Sequence, residues 1–247
     1  MNHDFSHQSY REMLQSFLQK GYRVCGFEEA NPVQRHLIVR HDIDMSLSMA
    51  EPIAEIESEL GISATYFVLM GSELYSPFTQ ASRRSISRIQ TLGHDIGLHF
   101  DASYYENDSA SLDGAADAEC QALELITGKP VRVISFHRPI PELQGSGPLA
   151  GRRHAYEPRY FSEMGYCSDS RGAWHYGHPL AHEAVQVGRA LQLLTHPIWW
   201  TPQVMDGPLS KLENFLNDKA RVLKSELAEN CAPYRAVFKD EESRRSD

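Results

Sequence analysis

The stretch Arg40-His41-Asp42-Ile43-Asp44 follows a short apolar run at residues 36–39. Such a run is too short for a helix, and the polar residues beyond it predict a buried strand that ends in acids. Side chains alternate along a strand, so Asp42 and Asp44 are expected on one face and Ile43 on the other. Two adjacent carboxylates need positive charge beside them, and a metal ion usually supplies it. For Asp44 alone, the alternative is a helix N-cap.

The bulk composition is that of an ordinary globular protein. The chain has 247 residues, of which 41% are hydrophobic and 23% charged, enough for one large domain or two small ones. The net charge of −9 argues against nucleic acid or an anionic membrane surface as a partner. The 12 His residues are a rich supply of metal ligands and acid–base groups.

The four Cys residues lie far apart and form no zinc motif, so they are expected to be free thiols: Cys25, Cys120, Cys167 and Cys231. The first residues show no basic segment followed by an apolar run, and no window is apolar enough to span a membrane. These features predict a cytoplasmic location.

Strand and helix patterns alternate along the chain. Strands are predicted at residues 22–27, 36–44, 62–69, 95–101, 131–136, 184–187 and 191–195. Helices are predicted at residues 10–20, 50–60, 82–92, 114–126, 157–164 and 209–227. This alternation predicts an α/β fold of parallel strands with crossover helices, and roughly seven strands favour a closed or nearly closed barrel.

Polar clusters lie at the ends of four of the predicted strands. They are Asp42 with Asp44, His99 with Asp101, His137 with Arg138, and His196. In a parallel barrel all the strand carboxyl ends meet at one face, where active sites are built. Carboxylates and imidazoles converging there suit a divalent metal, zinc or a similar transition ion.

Five motifs occur in a characteristic order. They are His41-Asp42-Ile43-Asp44, Ala64-Thr65-Tyr66-Phe67-Val68, Gly93-His94-Asp95-Ile96-Gly97-Leu98-His99, Phe136-His137-Arg138-Pro139 and Leu194-Thr195-His196. Together they resemble the polysaccharide deacetylase superfamily, the NodB-like carbohydrate esterases of family 4. The pattern is similar to a divergent branch, the deacetylase-like proteins of bacterial surface-polysaccharide (O-antigen) synthesis.

This resemblance implies a single distorted (β/α)7-type barrel domain over residues 1–247. Residues 1–35 would be an N-terminal helical extension, and residues 205–247 a C-terminal helix and tail. It also implies one divalent metal ion, with zinc as first choice and cobalt or nickel as alternatives.

The resemblance also implies a role for each matching residue. Asp42 would be the general base and Asp44 a metal ligand, with His99 as the first His ligand. Arg138 would position the base, and His196 would be the general acid.

Two departures from the family's pattern concern the metal. Ile43 separates two acids that are adjacent in the family, and Ser103 stands where the second metal His should be. The third ligand must then come from elsewhere. His137, at the end of a neighbouring strand, is the first choice, and Asp101, which shares a face with His99, is the second.

Roles for the remaining candidate residues are assigned from their side-chain chemistry. Trp199 and Trp200, with Trp174, could form a sugar-stacking wall, and Asp101 could contact substrate. Asp169 matches an acid that touches the family's catalytic Arg, although a loop Asx-turn explains it nearly as well. His41 and His94 are expected to be structural.

The implied function is a metal-dependent hydrolase that removes an acetyl group from an N-acetylated sugar in a surface-glycan precursor. One alternative is processing of another amide, and another is a glycan-binding protein that has lost catalysis. The expected partner is a sugar or glycan precursor, with no nucleic acid and no membrane span.

Overall fold

A computed structural model of the chain describes residues 4–235. The chain divides into two compact units, the first ending at Val204 and the second beginning at Met205. All the strands described below belong to the first unit.

The first unit is built on a curved parallel sheet. Its strands are β1 Arg23–Val24, β2 His36–Ile43, β3 Thr65–Leu69, β4 Asp95–Phe100, β5 Val133–Phe136, β6 Arg153–His154, β7 Gly165–Ser168 and β8 Leu191–Thr195. The order across the sheet is β6-β5-β4-β3-β2-β8-β7, with β1 paired to the first residues of β2. Every ladder is parallel.

The sheet curls into a half-barrel that stays open between its two edge strands. Within residues 4–235 no ladder joins β6 to β7. Aromatic side chains lie across this side instead, because Phe161 contacts both Tyr156, at 5.2 Å between ring centroids, and Tyr166, at 5.0 Å. The α/β distorted barrel predicted from the sequence is confirmed.

Helices follow most of the strands. They are α1 His7–Gln19, α2 Glu51–Glu59, α3 Gln80–Thr91, α4 Ser109–Thr127, α5 Pro158–Phe161, α6 Glu183–Gln186 and α7 Gly207–Asn230. Their ends follow local chemistry: Ser6 caps α1 by accepting from the Ser9 N–H, and Asp108 caps α4. Gly128 ends α4 in the left-handed region at φ 66°.

The core lies between the helices and the outer face of the sheet. Helix α1 buries Tyr10, Met13, Leu14 and Phe17, the face predicted from their spacing. Strand β2 is buried along its whole length, so its side chains either pack against helices or fill the barrel interior.

Several local predictions differ from the structure, and strand β7 was not predicted at all. Residues 184–187 were predicted as a strand, but α6 occupies them, because His182 Nδ1 accepts from the Ala184 N–H and starts a helix. Strand β6 was not predicted, since two polar residues give no strand pattern. Helix α4 begins at Ser109 rather than 114, because Asp108 supplies its cap.

The second unit contains α7, which was predicted over residues 209–227. The predicted tail beyond residue 235 lies outside the described residues. Among the helices within residues 4–235, none combines the length and apolar character needed to cross a membrane.

Candidate metal centre and its surroundings

Strand β2 brings three polar side chains to the barrel interior. Arg40, Asp42 and Asp44 are spaced by two residues and therefore point to the same side. Further along the sheet, His99 of β4 pairs in register with Ser135 of β5, and His137 follows β5 directly. Asp42, Asp44, His99 and His137 lie at the carboxyl ends of their strands, as the sequence predicts.

Asp44, His99 and His137 converge on one point. His99 Nε2 lies 3.0 Å and His137 Nδ1 3.2 Å from Asp44 Oδ1, and the two nitrogens are 3.3 Å apart. Tetrahedral zinc bonds of about 2.0–2.1 Å place neighbouring ligand atoms about 3.3 Å apart. The donor set and its spacing therefore fit a single divalent ion such as zinc.

The charges of these groups also suit a metal site. Burial alone would raise the pKa of Asp44, but hydrogen bonds from His137 and His99 outweigh it and hold the pKa well below the usual range. Asp44 is therefore a carboxylate, the form that binds metal. Its side chain is 20% exposed and that of His137 16%, so solvent reaches one side of the site.

Of the two residues considered as third ligand, His137 lies in the group and Asp101 does not. Asp101 Oδ1 instead accepts from the backbone N–H of Ser103 at 3.0 Å and from its hydroxyl at 2.6 Å. Ser103, at the position of the family's second metal His, is thus a partner of Asp101.

Asp42 lies below the metal group in the barrel interior and is 2% exposed. It accepts from Arg40 Nη2 at 2.8 Å, and the Ser135 hydroxyl lies 3.1 Å from both its oxygens. Its Oδ2 is 3.9 Å from His99 Nδ1. Burial would raise the pKa of Asp42, but the Arg40 guanidinium and neighbouring imidazoles lower it, so Asp42 is an anion.

The prediction that Arg138 positions Asp42 is wrong. The Arg138 side chain is 67% exposed, and its Nη1 lies 3.8 Å from Asp101 Oδ2. The physical reason is position: Arg138 lies beyond the end of β5, whereas Arg40 projects from β2 into the barrel. Arg40 is completely buried and donates to Gln192 Oε1 at 2.9 Å as well as to Asp42.

His196 is held by Asp169. His196 Nδ1 lies 2.6 Å from Asp169 Oδ1, and Asp169 also accepts from the His196 backbone N–H at 3.0 Å. The other ring nitrogen, Nε2, faces the metal group at 3.9 Å from Asp44 Oδ2. Burial would lower the pKa of His196, but its hydrogen bond to Asp169 raises it to about 9. At neutral pH His196 is therefore a cation.

Sequence reasoning missed Arg40 and the pairing of Asp169 with His196. The signal for Arg40 was available, since it precedes Asp42 by two residues on the same strand face. The signal for Asp169 was its place directly after β7, which pairs with the strand that ends before His196.

The prediction that Trp199 and Trp200 stack on sugar does not fit their burial. Trp199 is 6% exposed and Trp200 3% exposed. The Trp200 ring packs against Phe5, at 5.0 Å between centroids, and Tyr10, at 4.9 Å, while its Nε1 donates to Asp169 at 2.8 Å. Trp200 therefore helps to hold the Asp169 carboxylate and presents no open face.

A buried polar network supports the site from outside the barrel. Glu57, which is fully buried, lies 2.7 Å from His41 Nε2 and accepts from the Tyr10 hydroxyl at 2.5 Å and the Tyr66 hydroxyl at 2.6 Å. The Thr195 hydroxyl lies 2.7 Å from His41 Nδ1. This network joins β2 to β8 beside the two segments that carry the site residues.

His94 is structural, as predicted. Its Nδ1 accepts from the Ala64 N–H at 3.2 Å, and its Nε2 lies 2.9 Å from the Ala54 carbonyl. The first contact uses Nδ1 as the acceptor, which leaves Nε2 to donate to the Ala54 carbonyl.

No family model matches the chain, and no curated protein matches it. Solved structures do resemble it. A CE4 family pseudoenzyme from Bacillus anthracis is 14% identical with a TM-score of 0.41, over 79% of this chain and 63% of that one. The chain thus spans less than two thirds of that protein.

Two further solved structures are similar to the chain. A family 4 carbohydrate esterase from Bacillus anthracis is 14% identical, with a TM-score of 0.40 over 77% of this chain and 80% of that one. The deacetylase PplD from Streptococcus pyogenes is 13% identical, with a TM-score of 0.42 over 77% and 83%.

Proposed function

We propose that the chain is a metal-dependent amidohydrolase that removes an acetyl group from an N-acetylated sugar. The observation that carries this proposal is the convergence of Asp44, His99 and His137, with the anionic Asp42 and the cationic His196 beside them. Metal-assisted amide hydrolysis uses these three functions in one place: a metal site, a proton acceptor and a proton donor.

Asp44, His99 and His137 would hold the ion, with zinc as first choice and cobalt or nickel as alternatives. When bound there, a divalent ion supplies polarisation of the acetamide carbonyl and a more acidic water. The two His nitrogens and one carboxylate oxygen match the three protein ligands usual for catalytic zinc.

Asp42 is the proposed general base. Because Arg40 and Ser135 hold its carboxylate as an anion, it can accept the proton of the attacking water as the carbonyl carbon gains oxygen. Arg40 is the residue that positions this base.

His196 is the proposed general acid. Asp169 holds the imidazole through Nδ1, so the protonated Nε2 faces the site and can donate to the nitrogen as the carbon–nitrogen bond breaks. Acetate and the free amine are the products.

We further propose that the substrate is a surface-glycan precursor, nucleotide-linked or lipid-linked, rather than a finished polymer. The motif resemblance to deacetylase-like proteins of surface-polysaccharide synthesis supports this choice. The net charge of −9 argues against a nucleic-acid substrate.

The test is acetate release from a panel of N-acetylated sugars by protein reloaded with zinc, cobalt or nickel. We expect His196→Ala to reduce kcat by about 10²–10⁴-fold, the usual effect of losing a general acid. Glu183→Ala, in the exposed helix α6, is the matched control and should retain full activity. Metal and sugar binding without acetate release from any substrate would instead support the alternative, a non-catalytic glycan-binding protein.

A further inference from the structure

Asp101 connects two segments at the mouth of the barrel. It lies directly after β4 and is 1% exposed. Its Oδ1 caps the short 3₁₀ turn Ala102–Tyr104 by accepting from the Ser103 N–H. Its Oδ2 has no hydrogen-bond partner among residues 4–235 and faces Arg138 Nη1 at 3.8 Å. One buried carboxylate thus orders the turn and holds negative charge beside the guanidinium.

Arg138 is a cation at the mouth of the site. It follows His137, one of the three metal-site residues, and its side chain is 67% exposed. Because Arg40 donates the hydrogen bond to Asp42, Arg138 does not position the proposed base. A guanidinium carries five N–H donors, and a single 3.8 Å contact leaves its donors available for an anionic group.

Tyr104 presents an aromatic ring at the same mouth. It is 54% exposed, and its ring lies against Gly71, where a Cβ would come within 3.1 Å of the ring. The next residue, Ser72, donates to the backbone carbonyl of Asp44 at 3.1 Å. The Tyr104 hydroxyl also donates to the Gly71 carbonyl at 3.4 Å, so the ring lies on the loop that contacts the metal-site segment and leaves part of its surface open to solvent.

We infer that Tyr104 and Arg138, both positioned by Asp101, bind an N-acylated sugar that carries an anionic group, a phosphate or a carboxylate. The Tyr104 ring packs against the apolar face of the sugar, and the Arg138 guanidinium pairs with the anion. This inference rests on the proposed function and specifies its substrate class. It also replaces the buried Trp199 and Trp200 as the aromatic surface for sugar.

The test is binding, measured by calorimetry on zinc-loaded and on chelator-treated protein. The probes are N-acetylglucosamine, N-acetylglucosamine 1-phosphate and N-acetylmuramic acid, which are neutral, phosphate-bearing and carboxylate-bearing. The variants are Arg138→Gln with Arg138→Lys, Tyr104→Leu with Tyr104→Phe, and Asp101→Asn.

We expect Arg138→Gln to weaken binding of an anionic probe by about tenfold or more, with little effect on the neutral sugar, because one charge-assisted pair is lost. Arg138→Lys keeps part of that preference. Tyr104→Leu weakens all three probes alike, and Tyr104→Phe weakens none. Asp101→Asn, which keeps the Oδ1 cap of the turn that carries Tyr104, should leave binding of the neutral sugar unchanged. Whichever anionic probe binds more tightly identifies the source of the charge.

Two outcomes would overturn the inference: equal affinity of wild type for neutral and anionic probes, or an anion preference that survives Arg138→Gln. Unchanged binding in Tyr104→Leu would show that the Tyr104 ring does not pack against the sugar. These results are separable from the proposed function. Acetate release without a preference for anionic probes would support the hydrolase and exclude the anion site. Anion-dependent binding without acetate release would support the anion site and exclude the hydrolase.

Discussion

Arg40 Nη2 donates to Asp42 Oδ2 at 2.8 Å inside the barrel, and the two side chains are 0% and 3% exposed. They leave the same face of β2 two residues apart, so the strand itself sets their contact. The pair keeps Asp42 ionised in a buried position, which the proposed general base requires. An arginine from the strand thus does what the sequence assigned to Arg138.

Loss of Arg40 should strongly destabilise the fold. Arg40→Met leaves the Asp42 charge buried and unpaired, which typically costs about 3–5 kcal/mol in the free energy of unfolding. Urea unfolding measures this cost. Arg84→Met is the matched control, because it removes an exposed arginine of α3 and should change the free energy by less than about 0.5 kcal/mol. Similar effects from the two substitutions would contradict the assignment.

The pH dependence of activity should follow His196. Its pKa is raised to about 9, so the proton-donating form persists through neutral pH and is lost as pH rises through about 9. Asp169→Asn weakens the hydrogen bond that raises the pKa of His196. The alkaline limb of the kcat/KM profile should therefore move to lower pH, towards the ordinary histidine pKa of 6.5. NMR titration of the imidazole gives an independent reading. An unmoved limb and imidazole pKa would show that Asp169 does not control His196.

Glu57 should make the fold sensitive to acid. Burial would raise its pKa, but the His41 imidazole and hydrogen bonds outweigh burial and lower it. Its stabilising effect is therefore complete above the ordinary pKa of 4.5 and is lost as pH falls through the lower pKa of the folded state.

Glu57→Gln should cost about 3–5 kcal/mol at neutral pH and flatten the acid dependence of unfolding. Glu55→Gln is the control, since Glu55 pairs with Arg88 at the surface and both side chains are about half exposed. Urea midpoints between pH 3 and pH 7 would distinguish the two variants. Parallel curves for wild type and Glu57→Gln would exclude this role.

Gly97 should tolerate no side chain. A Cβ there would lie 2.6 Å from Phe67 Cδ1 and 2.8 Å from the Val133 carbonyl oxygen, and the backbone of β5 cannot easily move. We expect Gly97→Ala to cost about 1–3 kcal/mol. Gly114→Ala, in α4 with nothing within 4 Å, should instead be neutral or stabilising. Thermal unfolding of both variants tests the contrast.

The periodicity of the strands explains why the fold and part of the site could be predicted from the sequence. The alternation of strands and helices predicted the barrel, and period-two spacing put Asp42 and Asp44 on one inner face. His99 lies near the end of β4, and His137 and His196 directly follow β5 and β8. Because these strands run parallel, the convergence of the three residues at one end of the sheet could be predicted from the sequence.

The remaining features depend on which elements are neighbours in space. Asp169 meets His196 because β7 pairs with β8, which no local pattern encodes. Trp200 is buried because α1 supplies Tyr10 against its ring. Residues 184–187 have a strand-like pattern, but they form a helix because the His182 side chain caps its N-terminus.

We propose that Asp44, His99 and His137 hold one metal ion. The most direct test of this proposal is the zinc content of chelator-treated and reloaded protein, for wild type, His137→Ala and Asp101→Asn. We predict near-stoichiometric zinc in wild type and in Asp101→Asn, and its loss in His137→Ala. Absence of bound zinc, cobalt and nickel in wild type, or full zinc content in His137→Ala, would show that these three residues do not form the metal site.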